Sequence, residues 1–111
     1  MIGRKQTTQA VSDYLTHHRH DPPERDGWFT PYEIASGVKS ELDLTLYSGP
    51  IYTALRHLME AEPPQVEDSW LTRDNYGTLD LENRYEHPNQ PADALRFYRA
   101  IGASIEYIQP S

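Results

Sequence analysis

Cysteine is missing from all 111 residues. That removes disulfide staples, thiolate nucleophiles and cysteine-ligated zinc together. No apolar run is long enough to span a bilayer, and the first residues form no basic-then-apolar leader. No glycine-rich phosphate loop occurs, nor a nucleophile set beside an ordering base. Phenylalanine and methionine are scarce, at two each. Positive charge is outnumbered, with ten lysines and arginines against 17 aspartates and glutamates, a net charge of −7. The expectation is a soluble cytoplasmic chain with no membrane partner, no cofactor, no metal and no enzymatic activity.

What remains is enough for one small domain. The mean hydropathy is −0.78, so the core must be thin. Eight tyrosines and two tryptophans have to furnish much of its area. Charge is unevenly placed. Residues 1–20 carry a net +2, residues 21–47 a net −4, residues 62–93 a net −6 and residues 94–111 a net +1. A negative total argues against a nucleic-acid partner, but charge placement matters more than the sum.

The spacing of Ala10, Val11, Tyr14 and Leu15 predicts a helix from Lys5 to about Arg19. A turn rich in proline and charge follows, over residues 20–27. Thr30, Pro31 and Glu33 then spell an N-cap, a first-turn proline and a capping box, ahead of a short helix burying Ile34, Ala35 and Val38. Leu42, Leu44 and Leu46 alternate like a strand and equally suit a loop tucked under the core. Ser48 is expected to cap the next helix, over 50–61, whose apolar positions are Ile51, Ala54, Leu55, Leu58 and Met59. Gln65 to Leu71 and Leu95 to Ile101 read as strands, and Ser104 to Ile108 as a weak third. Residues 72–93 lack a convincing period and read as a long, largely irregular excursion. The predicted order is that of an α+β winged helix-turn-helix in a single domain over 1–111. Its parts are an N-terminal helix and linker (1–27), the helix-turn-helix (28–61), an extended wing (65–101) and a tail (102–111).

In such a fold the second helix of the pair enters the major groove of double-stranded DNA. With the apolar stripe turned inward, Tyr52, Thr53, Arg56 and Glu60 face outward and His57 lies at the edge. Arg56 suits bidentate recognition of guanine, and Thr53 a thymine methyl or a phosphate. The bland alternative is an ordinary solvated helix face. Arg96 and Arg99 on the returning wing strand suit phosphates, or else pair with the acidic turn beside them. Arg4 and Lys5 give a basic edge, or a frayed terminus. His17, His18, His20 and Asp21 cluster densely, but no further ligand is specified and a capped helix end accounts for them. The acidic 72–93 stretch reads either as a disordered loop or as a docking surface or phosphate mimic.

Three stretches carry a family resemblance. Thr30-Pro-Tyr-Glu-Ile-Ala35 resembles the opening of the second helix in PadR-like winged-helix regulators. Ser48-Gly-Pro-Ile-Tyr-Thr-Ala-Leu-Arg-His-Leu58 is similar to that family's recognition helix. Arg96-Phe-Tyr-Arg99 is similar to its returning wing strand, and Trp70 stands where the outgoing strand often carries an aromatic. The resemblance implies a homodimeric, sequence-specific repressor associated with the nucleoid. It makes Ser48 and Tyr52 contacts at the start of the recognition helix, with Thr53 and Arg56 on its exposed side and Arg96 in the wing. The chain departs from the family at Ala61-Glu-Pro-Pro64, in its long acidic wing, and in ending before a C-terminal dimerisation helix. A dimer would then use the first helix, through Val11, Tyr14 and Leu15, or the tail. The rival expectation is a winged helix that docks a basic protein through its acidic surface.

Overall fold

The computed structural model describes residues 3–86 and 89–101. Three helices lead into an antiparallel hairpin: α1 (Arg4–His17), α2 (Pro31–Leu42), α3 (Ser48–Glu60), β1 (Val66–Leu71) and β2 (Leu95–Ala100). This is the predicted α+β winged-helix order. The tail expectation, including a third strand over 104–108, lies outside the described residues. Among those residues no helix is long and apolar enough to cross a membrane.

Each helix follows from its local sequence. The capping box of α2 forms as spelled: Thr30 Oγ1 accepts from Glu33 N at 3.2 Å, and Thr30 N donates to Glu33 Oε1 at 2.9 Å. Asp43 ends the helix in the left-handed region, with φ 56°, which aspartate tolerates better than most residues. The segment after it is loop, with Leu46 buried and Leu44 half-buried, so the strand option for 42–46 drops out. The third helix starts earlier than expected. Ile51 N donates to Tyr47 O, which makes Tyr47 the N-cap and places Ser48 inside the first turn with no side-chain cap.

The helices converge on one apolar core. Val11 and Leu15 of α1, Ile34 and Val38 of α2, and Ile51 and Leu55 of α3 are all fully buried. Each such side chain contributes about 1.5–3 kcal/mol on burial. Tyr14 lies in the same core, its ring directly over the backbone of Gly37, where no Cβ stands in the way. Val11, Tyr14 and Leu15 therefore cannot supply a dimer contact. They face α2 and α3 of their own chain, because the stripe that marked them as apolar is the stripe a three-helix core consumes.

The two strands form within a residue of their expected bounds and pair as one antiparallel hairpin. Register pairs Val66 with Ala100, Asp68 with Tyr98 and Trp70 with Arg96 on one face. It pairs Glu67 with Arg99, Ser69 with Phe97 and Leu71 with Leu95 on the other. The first face carries Val66, Tyr98 and Ala100 into the helical core. The second has its own apolar layer, in which Trp28, Leu71, Leu79 and Phe97 pack together with Leu81 against them. Phe29 pairs with Tyr98 by two backbone hydrogen bonds, N to O at 2.9 and 2.8 Å, and so ties the 28–29 segment to the edge of β2.

Leu79 shows that the acidic excursion is not a loose loop. Asp80 N donates to Thr72 O, Tyr85 N donates to Trp70 O, and Asp74 caps its own turn through Tyr76 N and Thr78 N. The described part of 72–93 is irregular but folded back, roofing the sheet face that the helices leave uncovered.

Candidate nucleic-acid interface

Helix α3 buries Ile51, Ala54, Leu55 and Leu58, and so turns the opposite face outward. Tyr52 is 53 % exposed, Ser48, Arg56 and His57 are exposed, and Thr53 is half-buried. Leu79 and Leu81 of the excursion pack on the Trp28 and Phe97 side of the sheet, while Tyr52 of α3 stays open to solvent. No acidic residue sits in the first turn of α3 or of α1, although Asp43 lines a depression with Thr7 of α1 and Pro50 of α3. The two ends lie side by side. Gly3, Arg4 and Thr7 of the α1 end and Gly49, Pro50 and Thr53 of α3 line a shared groove of about 390 Å³. Lys5 is exposed on α1 next to Arg4. Among the described residues, neither Arg56 nor Lys5 has a carboxylate partner.

The wing arginines part company. Arg96 shares the sheet face of Tyr98 and lies 5.3 Å above its ring. Burial pushes the Tyr98 hydroxyl above the usual phenol range; Arg96 opposes the shift, and Tyr52 and Asp68 add to it. Arg96 Nε donates to Asp68 Oδ2 at 2.7 Å, with Nη2 2.7 Å from the same oxygen.

Arg99 points to the opposite face and is only 16 % exposed. It donates to Glu67 through Nε and Nη2, at 2.9 and 2.7 Å, and to Asp26 through Nη1 at 2.8 Å, with its guanidinium 4.4 Å above the Trp28 ring. The expectation of a phosphate contact at Arg99 is therefore corrected: the residue rivets the 20–28 linker to the sheet. The alternative of pairing with nearby acid is met in part: both arginines hold carboxylates of the −6 segment over 62–93, from its strand residues Asp68 and Glu67 and not from its turn. Their partners are on β1 and, for Arg99, in the linker.

His18 and His20 are spent locally. His18 caps α1, sets Nε2 2.6 Å from Glu41 and Nδ1 3.4 Å from Asp21, and packs on Tyr14 and Phe29. His20 Nδ1 is 3.0 Å from Asp26. Among the described residues no group of three acidic or histidine side chains could hold a metal ion.

The sequence reading missed Asp68, Glu67 and Asp26. Their signal was available only through register: once β1 and β2 are aligned, Glu67 falls opposite Arg99 and Asp68 one step from Arg96. Set beside known proteins, the chain matches no family model, no curated protein and no solved structure.

Proposed function

We propose that this chain binds double-stranded DNA through α3 and regulates transcription by occupancy, in the manner of the PadR-like regulators it resembles. The observation that carries the reading is the outward face of α3. Ser48 and Tyr52 stand exposed in its first two turns and Arg56 and His57 further along it, and among the described residues Arg56 has no carboxylate partner. A helix of this length reaches roughly 20 Å along a groove. Arg56 serves base edges, Thr53 and Ser48 serve a thymine methyl or phosphate, and Lys5 and Arg4 serve the adjoining backbone. Neither a cofactor nor an enzymatic step belongs to this mechanism. Homodimerisation would place a second half-site one helical turn away, about 34 Å, through a surface other than Val11, Tyr14 and Leu15.

The test is selection of bound fragments from a genomic duplex library, followed by titration of a recovered fragment at several salt concentrations. Affinity is expected to fall steeply with salt. Arg56→Ala is expected to lose about 1–3 kcal/mol of specific binding with an unchanged fold. Equal binding by parent and variant would remove α3 as the reading element.

One observation favours the rival reading, a module that docks a basic protein: both wing arginines already hold carboxylates. That module would leave duplex unshifted even at low salt and capture a basic polypeptide instead.

A further inference from the structure

Two arginines leave the same strand and meet opposite fates, and the contrast is informative. Arg99 is held by two carboxylates, stacked on Trp28 and largely shut from water. Removing it from its partners would strand Glu67 and Asp26 and uncover the indole. Arg96 has one carboxylate, 42 % of its side chain in solvent, and a tyrosine ring beneath it. An exposed pair of this kind is weak, and a diester phosphate offers the same acceptor geometry as the carboxylate it would displace. Arg96 also stands with Tyr98 on the sheet face turned toward the helices, whereas Arg99 stands on the other.

We propose that Asp68 is a built-in counterion that competes with DNA phosphate for Arg96 and thereby holds the affinity of the wing below what Arg96 alone would give. The inference rests on the DNA reading of α3. When Arg96 passes to a phosphate, Asp68 is left facing the backbone and must take up a counterion. Part of the ion release that normally drives phosphate binding is then returned. Glu86 lines the same depression with Asp68, Trp70, Arg84 and Arg96, but among the described residues it makes no ion pair with Arg96. Asp68 is thus the residue to change.

The experiment measures binding of a labelled mixed-sequence duplex of about three helical turns by anisotropy over a salt series. The proteins are the parent, Asp68→Asn, Arg96→Ala, the double variant, and Glu24→Gln. The last removes one exposed carboxylate in the turn after α1, so it matches the change in net charge. Circular dichroism and thermal melts confirm that each variant is folded. Asp68→Asn is expected to tighten binding about 2- to 5-fold and to steepen the log–log salt dependence by up to about one unit. Both gains should vanish on the Arg96→Ala background and be absent in Glu24→Gln. If the parent binds and Asp68→Asn binds no better than Glu24→Gln, or if the gain survives without Arg96, the counterion role is overturned while the DNA reading stands. If neither the parent nor Asp68→Asn binds duplex at low salt, both fall together.

Discussion

Gly37 and Tyr14 illustrate how much a single position carries in so thin a core. In an α-helix interior alanine is favoured over glycine by about 1 kcal/mol, so propensity alone would make Gly37→Ala stabilising. The added Cβ, however, would land on the Tyr14 ring. That ring cannot retreat without giving up its contacts with Phe29 and His18. Gly37→Ala is therefore expected to destabilise the fold by about 1–3 kcal/mol, read as a lowered urea midpoint. Burial, with Glu41 and Glu33 adding to it, already pushes the Tyr14 hydroxyl above the usual phenol range. The sequence showed Gly37 as a weak point in a helix and nothing more. The close approach that makes it necessary comes from two helices meeting, which no local pattern encodes.

The elements differ in how openly the sequence announces them, and the reason is physical. The α2 cap and the α3 stripe are local, so Thr30, Glu33 and the Ile51-to-Leu58 spacing identify them without tertiary knowledge. Strand β2 does not alternate, because both of its faces are covered: Tyr98 and Ala100 under the helices, Phe97 under the returning excursion. The strand itself was legible from Leu95 to Ile101, but with both faces covered no period of two tells which side meets the helices. The excursion itself hides its order for a related reason, since among its described residues Leu79, with Leu81 against the same cluster, anchors it amid polar turns. Leu79→Ala is expected to cost about 2–5 kcal/mol and to make the 72–86 stretch a preferred site of limited proteolysis. In the parent, the amides of Asp80 and Tyr85 should exchange slowly, because they donate to Thr72 and Trp70. The candidate site divides the same way: outward residues of α3 follow from its periodicity, while the fates of Arg96 and Arg99 depend on strand register and a linker carboxylate far away in sequence.

Taken as one body, the molecule ties Arg25, Arg96 and Arg99 to its own carboxylates, so acid should weaken it through identifiable carboxylates. The hydrogen bond from His20 holds the Asp26 carboxyl below its ordinary value of 3.8, with the Arg99 guanidinium acting in the same direction. Asp80 is lowered as well, chiefly by its bond from Asn83. A carboxylate whose folded value is depressed contributes stability above its unfolded value and loses it as the pH falls through the folded one. Thermal melts below about pH 4 should therefore fall more steeply for the parent than for Asp26→Asn, while the two should run parallel above that range. The double-faced hairpin has one more consequence. Its two indoles stand on opposite sides, Trp28 beneath the guanidiniums of Arg84 and Arg99, Trp70 beside Arg96 and Tyr85. Emission from the first is expected to register the roof lifting and emission from the second the proposed binding of duplex at the wing, so single-tryptophan versions of this chain would separate unfolding from occupancy in one cuvette.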